Sequence, residues 1–300
     1  MSAATSEGTS KVYGVQRVCA AWEIARSTWY AQTAAARPDR PAQAKRGPKT
    51  ALSDDGLVGA IRAVLAASAF TGEGYRKVWA KLRAEDVRAG KRRVLRLMGV
   101  HGLLAPQRGG SPRGPQAHDG TIITEAPDLM WGTDFSTTVT LREGTAAVFI
   151  AVDHCTAELV GVHAAPRATR WEALEPIRQA VRERFGRIGE KVARGLLLRH
   201  DHGTQYMADD FQEEIAFLGI ESSPSFVRAP EGNGCAERMI RTLKEQVLWV
   251  RAFETVEELR QALLAWQKVY NERWMVGRHG HRSPAQVRRD HHAVMQRMAA

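Results

Sequence analysis

The chain has 300 residues and a hydrophobic content of 44%, which is enough for a sizeable core and for two or three domains. No apolar run approaches the roughly eighteen residues that span a bilayer, and residues 1–10 lack the apolar centre of a signal peptide. These features argue against a secreted or membrane-spanning protein. We therefore expect a cytoplasmic chain with no membrane partner.

The formal net charge of +10 is concentrated in the first part of the chain. Residues 1–125 hold 20 Lys and Arg against 10 Asp and Glu, whereas residues 126–300 hold 23 of each. A basic part joined to a neutral part suggests that the basic part binds a polyanion and that the neutral part catalyses a reaction on it. A solvated basic surface without a partner is the alternative that the charge alone leaves open.

Two small helical units are predicted in the basic part. In the first, apolar side chains recur at helical spacing from Val15 to Trp22, and a short break separates them from a second helix that carries Arg26. This pattern is typical of a helix-turn-helix. The second unit begins near Ser53 and ends in a helix with one apolar face. The outward face of that helix is expected to carry three arginines that contact phosphate: Arg92, Arg93 and Arg96.

The pattern changes from helical to extended after residue 126. Three short segments rich in Thr, Val and Phe, at 129–141, 145–152 and 158–163, are typical of an antiparallel meander. A helix at 170–185, a strand at 195–199, a helix at 208–218 and a strand at 220–222 are predicted to follow. The sequence therefore predicts an α/β fold preceded by small all-α modules.

Two amphipathic helices are predicted next. Residues 236–250 carry an apolar stripe, and a neighbouring stripe consists of Glu237, Arg241 and Lys244. The following helix begins at a capping box, residues 255–258. One face of the first helix should therefore pack, while the adjacent face presents an acid followed by two bases.

Three acids stand in contexts that suit metal chemistry. Asp134 lies in an apolar strand, Asp201 follows another strand, and Glu237 opens the charged stripe. Carboxylate oxygens are ligands that Mg²⁺ prefers, and two ions about 4 Å apart can assist attack on a phosphodiester. We expect the three acids to form a divalent metal site, provided that the fold brings them together.

The segments around these acids resemble a known family. Residues 131–134 (WGTD), 199–206 (RHDHGTQY) and 233–244 (NGCAERMIRTLK) are similar to the three catalytic motifs of the integrase-core transposases. The 35 residues between Asp201 and Glu237 match the family's spacing. Residues 270–273 and 281–286 resemble its closing motif, and residues 74–77 and 91–104 resemble the helical segment before the core of second-frame transposases from bacterial insertion sequences. Glu23 stands where the family's first helix-turn-helix usually has glycine.

This resemblance implies an RNase H-like mixed sheet flanked by helices, with Asp134, Asp201 and Glu237 as the catalytic and metal-binding triad of a DDE transposase. The implied cofactor is Mg²⁺ or Mn²⁺, as two ions. The implied partners are DNA (the terminal repeats of the element and the target), further copies of this chain on that DNA, and a protein from an upstream reading frame. The implied location is the bacterial cytoplasm, at the nucleoid.

The patterns and the resemblance together divide the chain into six segments. They are a helix-turn-helix at 11–36, a linker at 37–50, a helical DNA-binding module at 51–105, a linker at 106–125, an integrase catalytic core at 126–290 and a tail at 291–300. The two linkers are rich in Pro, Gly and basic residues, which oppose regular structure.

Further residues are candidates for contacts around the acids. Arg241 and Lys244 follow Glu237 by one and two helical turns and could hold the DNA backbone. Simple pairing with Glu237 along the helix is the alternative. Asn233 is expected either to cap its helix or to order the acids, and Gln205 is expected to support the acids from behind.

Several reactive side chains are predicted to have plain structural roles. Zinc binding is not expected at His200 and His202, because no further Cys or His ligands stand at usable spacing. The others are Asp153 as a turn residue, Cys19, Cys155 and Cys235 as inert thiols, and His279, His281, His291 and His292 as solvated side chains. A DNA-binding regulator with a relic core and a hydrolytic nuclease of the same fold are the competing functions.

Overall fold

Two short helices joined by a tight turn begin the chain, as the sequence predicts. They are α1 (Gly14–Ala21) and α2 (Arg26–Ala35) in a computed structural model that describes residues 3–35, 52–106, 122–225 and 233–299. Glu23 in the turn has a φ of 53°, a left-handed conformation that glycine adopts more readily than other residues. The glycine preference of the family at this point therefore has a backbone cause.

The predicted apolar face of α1 is partly buried. Within residues 3–34 only Cys19 is fully buried, Val15 and Val18 are half-buried, and Trp22 is 60% exposed. These helices belong to one compact unit, Met1–Ala51, and the chain from Leu52 to Ala300 forms a second. The helical spacing therefore predicted the helices and, except at Trp22, the side chains that turn away from water.

Three helices open the second unit and share a core of their own. They are α3 (Asp54–Ala66), α4 (Tyr75–Ala84) and α5 (Lys91–Val100). Ser53 caps α3, because its Oγ accepts a hydrogen bond from the Gly56 amide at 3.1 Å. Seven fully or nearly fully buried side chains fill the space between the helices: Leu57, Ile61, Val78, Leu82, Val94, Leu97 and Met98.

Arg93 does not face outward, contrary to the sequence-based prediction. Its side chain is 19% exposed, its Nε donates to Asp54 at 2.8 Å, and its Nη2 donates to the Leu52 carbonyl at 2.8 Å. Arg96 also pairs with Asp54, at 2.6 Å, whereas Arg92 is exposed. Asp54 at the start of α3 thus holds two of the three arginines, and an acid there also suits the positive end of the helix dipole.

The chain from Met130 builds a five-stranded mixed sheet. Its strands are β1 (Met130–Thr140), β2 (Gly144–Asp153), β3 (Leu159–Ala165), β4 (Leu197–His200) and β5 (Glu221–Pro224). The order is β3-β2-β1-β4-β5, with β1 to β3 antiparallel and with β4 and β5 parallel to β1. This arrangement confirms the predicted antiparallel meander and the RNase H-like sheet.

Helices cover both faces of the sheet. They are α6 (Arg170–Phe185), α7 (Thr204–Met207), α8 (Asp209–Leu218), α9 (Gly234–Leu243), α10 (Val256–Arg273) and α11 (Pro284–Ala299). Val148 and Ile150 of β2 belong to a core with α9 and α10, whereas Ala147 and Phe149 belong to a core with α6 and α8. Alternate residues of a strand face opposite sides, so both faces of β2 are buried. None of the described helices has the length and apolarity needed to cross a membrane.

The helix that carries Glu237 ends earlier than its apolar stripe predicts. After α9 comes a single π turn, Lys244–Leu248, in which the Trp249 amide donates to the Lys244 carbonyl at 2.9 Å. A π turn holds one residue more than an α turn and shifts the register of the residues after it. Val250, predicted to be buried, is consequently 56% exposed.

The segment predicted as a tail, 291–300, is helical as far as residue 299, because α11 continues to Ala299. This helix is anchored by Arg288, which is 7% exposed and pairs with Asp128 and with Glu158. Removing either acid would leave a buried charge, which is strongly destabilising. The region just before α11 is also less solvated than predicted, since His281 is half-buried beside the ring of Trp79.

Candidate active site

The sheet register brings two of the predicted acids to one edge. Gly132 of β1 pairs with Arg199 of β4 in the parallel ladder, and Asp134 and Asp201 each lie two residues further on. Adjacent strands run about 4.8 Å apart, so the two acids occupy neighbouring positions at the carboxyl end of β4. This is the edge at which open α/β sheets present ligands.

Asp134 is electrostatically coupled to both other acids. Burial above all, together with the negative charges of Asp201 and Glu237, raises its pKa to about 6. A hydrogen bond from the Phe135 amide and the positive charge of Lys244 act in the opposite direction on this pKa. The fold therefore brings Asp134, Asp201, Glu237 and Lys244 into one electrostatic neighbourhood.

Asp201 is fixed by the short turn that follows it. Its Oδ1 accepts a hydrogen bond from the Gly203 amide at 2.8 Å. A Cβ at Gly203 would come within 2.5 Å of Gln205 Nε2 and 2.8 Å of Asp201 Oδ1, so a side chain here would displace the ends of both. Gln205 is buried, and its Nε2 has no hydrogen-bond partner among the described residues. Gln205 and Asp201 therefore lie close together on either side of Gly203.

Glu237 is positioned by close packing of α9 on β1. A Cβ at Gly132 would lie 3.4 Å from Ala236 Cβ, 3.2 Å from Asn233 Oδ1 and 2.8 Å from His154 Nε2. The glycine of the WGTD segment thus lets the first turn of the helix approach the strand that carries Asp134. Glu237, on the exposed side of that turn, consequently faces the sheet edge.

Asn233 joins the helix directly to the strand. It is 4% exposed, and its Nδ2 donates to the Thr133 carbonyl at 3.0 Å, one residue before Asp134. Its side chain does not cap the helix. The sequence left capping and ordering of the acids as two roles for Asn233, and the geometry fits the second.

His154 is a buried neighbour that the sequence did not single out. Its Nδ1 donates to the Ile122 carbonyl at 2.9 Å, which leaves Nε2 as an acceptor beside Gly132. Burial lowers its pKa to about 4, so the ring is neutral at pH 7. No sequence signal separates this histidine from the others, because its surroundings arise only when β1, β2 and α9 meet.

Cations and an aromatic side chain line the cavity above the acids. The cavity has a volume of about 460 Å³, and its walls include Asp134, Phe135, Glu237, Arg241, Lys244 and Trp249. Arg241 donates from Nε to Glu245 at 3.1 Å. Trp249 was missed by the sequence-based prediction, although it is 69% exposed, because its orientation depends on the π turn.

A divalent cation fits these residues chemically. Among the described residues no three His, Cys, Asp or Glu side chains stand close enough to hold a metal ion as the structure has them. The pKa of Asp134, raised by burial and by two neighbouring carboxylates, nevertheless shows a site where negative charges crowd together. Hard oxygen donors in such a cluster are what Mg²⁺ or Mn²⁺ binds, and the cation would relieve the repulsion.

Three of the remaining predicted DNA contacts are exposed side chains on helices. Arg26 is exposed at the start of α2, and Arg92 and Arg96 are exposed on α5. His200 does not serve a metal site, since its Nε2 lies 2.9 Å from Ser222 Oγ and its ring is fully buried. Asp153 is the predicted turn residue, because it accepts hydrogen bonds from the backbone amides of Thr156 and Asp128.

Comparison with known proteins assigns both parts of the second unit. Residues 53–110 match the family model of an HTH-like domain, and residues 218–284 match that of an integrase core domain. The chain is 28% identical over 292 residues to the transposase for insertion sequence element IS629 of Shigella sonnei, covering 94% of this chain and 93% of that protein. It is 26% identical over 222 residues to the transposase InsD for insertion element IS2 of Escherichia coli, covering 72% and 73%.

Solved structures of viral integrases also align with the chain. The HTLV-2 integrase catalytic core domain in complex with magnesium aligns at a TM-score of 0.41 and 17% identity, over 55% of this chain and 98% of that chain. On the domain matches and the curated relatives, the chain is similar to insertion-sequence transposases, with an HTH-like domain match ahead of an integrase core domain match.

Proposed function

We propose that this protein cuts DNA at the ends of an insertion sequence and joins the freed ends to target DNA. The observation that carries the proposal is the coupling of Asp134 to Asp201 and Glu237, since each of the last two raises the pKa of the first. Carboxylates that lie close together at one sheet edge repel one another, and a bound divalent cation relieves that repulsion. The similarity to the IS629 transposase along nearly the whole chain supports the same function.

The proposed cofactor is Mg²⁺ or Mn²⁺, as two ions held by Asp134, Asp201 and Glu237. Such ions, when bound, lower the pKa of an attacking water or hydroxyl and stabilise charge on the phosphodiester. Asp134 must be ionised to bind a cation, so the cation competes with a proton there and metal affinity should weaken as the pH falls below about 6. The attacking oxygen is that of water in cleavage and that of the freed 3′-hydroxyl in joining.

The chain's own residues have distinct roles in this proposal. Lys244 and Arg241 hold the backbone phosphates of the reacting strand beside the acids, because both side chains line the same cavity. Asn233 and Gln205 keep the acids in place without touching DNA. Contacts away from the reacting strand are assigned to Arg26, Arg92, Arg93 and Arg96, of which Arg93 acts through its hold on Asp54.

The proposed assembly has more than one copy of this chain, because joining two element ends to one target needs two active sites held together. A protein from an upstream reading frame is a further proposed partner. The substrate is bacterial chromosomal or plasmid DNA, so we propose the cytoplasm, at the nucleoid, as the place of action.

A strand-transfer assay tests the function. The full chain would be mixed with a duplex made from the DNA that flanks its gene, a supercoiled plasmid and Mg²⁺. We expect joined products from the native protein and a loss on the order of 10³-fold or more in Asp134→Asn, Asp201→Asn and Glu237→Gln, with DNA binding retained. Asp290→Asn is the matched control, because Asp290 is a surface acid paired with Arg282.

Each competing function predicts a different result. Nicking of plasmid without joined products would identify a hydrolytic nuclease. Binding of the flanking DNA with neither nicking nor joining would identify a regulator with a relic core. Normal joining by the Asp201→Asn protein would show that the acids do not act as proposed.

A further inference from the structure

Trp249 is an exposed aromatic side chain at the mouth of the active-site cavity. It is 69% exposed and lines the same 460 Å³ space as Asp134 and Glu237. Large aromatic side chains bury about 150–250 Å² when they pack, so leaving one in water forgoes a sizeable stabilisation. Neither the catalytic acids nor the packing of the core uses this side chain.

The π turn is what points Trp249 into the cavity. In a continuous α-helix, steps of four, seven and eleven residues from Glu237 would place Arg241, Lys244 and Leu248 on one face. The wider turn at Lys244–Leu248 takes up one extra residue, so Trp249 occupies that place and Leu248 is only 8% exposed. The π turn thus buries the aliphatic Leu248 and places the aromatic Trp249 at the cavity.

The order of side chains along the cavity matches the chemistry of a nucleotide. Along the helix, Glu237 comes first, the cations Arg241 and Lys244 follow, and the indole of Trp249 lies one turn beyond them; Glu245 also lines the cavity, where it pairs with Arg241. A DNA strand has the same sequence of groups from its reacting phosphodiester, through flanking phosphates, to a base with two flat faces. Aromatic side chains beside cationic ones are the usual platform for unpaired bases.

We propose that Trp249 stacks on an unpaired base of the DNA end and so forms a base-binding subsite beside the catalytic acids. The inference rests on the proposed function and identifies a contact that the acids and cations do not supply. Stacking does not depend on base identity, because every base has a π face. The subsite would therefore recognise a frayed end of any sequence. Trp249 would therefore hold the terminal nucleotides apart while the scissile phosphate lies at the acids.

Photocrosslinking to 5-iodouracil tests the contact directly. The probes are a duplex from the DNA flanking the gene with 5-iodouracil in a three-nucleotide frayed end, and the same duplex fully paired. Both are mixed with the full chain without divalent metal, so that no cleavage occurs. We expect the frayed probe to crosslink at Trp249, as mapped by mass spectrometry, and the paired probe to crosslink several-fold less.

Two variants and one control make the result specific. Trp249→Ala should lose the crosslink and bind the frayed probe roughly 5- to 100-fold more weakly than the native protein. Trp249→Phe should retain most of the binding, because a phenyl ring also stacks. Trp171→Ala is the matched control, since Trp171 is 49% exposed on α6, outside this cavity's walls, and its loss should change neither measurement.

Specific outcomes would overturn the proposal. A crosslink that maps elsewhere, or that survives in Trp249→Ala, would show that no base stacks on this side chain. An altered sedimentation coefficient of Trp249→Ala with unchanged crosslinking would show that the indole contacts a second copy of the chain. If the native protein crosslinks through Trp249 but joins no DNA with Mg²⁺, the base contact stands and the transposase function fails.

Discussion

The two sides of the active site are built in different ways. On the strand side, Asp134 lies on a strand whose partners are buried on both faces, and burial together with neighbouring acids raises its pKa to about 6. On the helix side, Glu237, Arg241 and Trp249 are exposed on α9 and just after its π turn. The strand side is fixed and crowded with negative charge, whereas the helix side is open and mixed in charge.

Under the proposed function, this difference gives catalysis and DNA binding separate structural supports. A metal site needs ligands held in fixed positions, which a buried sheet supplies. A DNA strand must enter and leave, which requires exposed side chains on an accessible face. Asn233 connects the two sides, because it comes from the start of the helix and donates to the Thr133 carbonyl.

Lys244→Glu should have the largest effect on the helix side. The change removes a cation from the cavity and adds an acid near Asp134, so we expect DNA joining to fall by at least about 100-fold. Binding of the element end should also become less salt-dependent, by about 0.9 in the slope of log K against log salt for the lost phosphate contact. Both quantities are measured by gel-based joining and by binding at several salt concentrations.

Lys268→Glu is the matched control for that variant. Lys268 is exposed on α10, and its replacement changes the net charge by the same amount. If Lys244→Glu joins DNA as well as Lys268→Glu does, the cation only pairs with acids of its own helix, a contribution of about 0.3 to 0.5 kcal/mol. The proposed division, in which the strand side binds metal and the helix side binds DNA, would then be wrong.

Asp134→Asn should stabilise the metal-free protein on the strand side. The folded protein holds the pKa of Asp134 at about 6, above the ordinary value of 3.8, so ionisation of this group opposes folding. The penalty is absent below a pH of 3.8 and complete above a pH of about 6, where it amounts to as much as about 3 kcal/mol. Thermal unfolding in a chelator should therefore show a higher Tm for Asp134→Asn at about pH 7.5 and a much smaller difference at about pH 4.5.

Asp201→Asn is the comparison within the site. Asp201 is exposed, so its replacement relieves only its repulsion of Asp134 and no burial cost, and the gain in Tm should be much smaller than for Asp134→Asn. Equal Tm values for the native and Asp134→Asn proteins at about pH 7.5 would show that the strand side carries no electrostatic strain. Loss of activity together with a gain in stability is typical of a residue placed for function.

Gln246→Ala should have the smallest effect and tests how the helix side is held. Gln246 in the π turn accepts a hydrogen bond from the Thr71 amide at 2.9 Å and donates to the Thr71 carbonyl at 3.0 Å. These bonds join the HTH-like domain to the active-site helix, next to the contact of Phe70 with Trp274. We expect a loss of about 1 kcal/mol in the free energy of unfolding.

Gln261→Ala serves as the control for this loss. Gln261 is exposed on α10, and its Nε2 donates to Glu257 of the same helix. Its replacement should change the free energy of unfolding by less than about 0.5 kcal/mol. If urea unfolding gives the same free energy of unfolding for Gln246→Ala and Gln261→Ala, the Thr71 contact does not stabilise the helix side.

The sequence by itself determined the elements and the chemistry. Strand and helix periodicity predicted the meander, α6 and the capping box, in which Thr255 accepts from the Glu258 amide at 3.1 Å. The acids, Asn233 and the cations could be named because each stands in a short segment whose residue types suit that chemistry. Local patterns suffice for such features, since they depend on neighbours along the chain.

Only the tertiary structure decided which groups meet. The pairing of Arg93 with Asp54, the burial of His154 beside Gly132 and the exposure of Trp249 each depend on residues far apart in sequence or on a single π turn. Helical spacing cannot show these, because it assigns a side chain to a face of its own helix but not to the element that lies opposite. Long-range packing and register decide that, and at this site they determined which charged side chains became fixed and which stayed open to DNA.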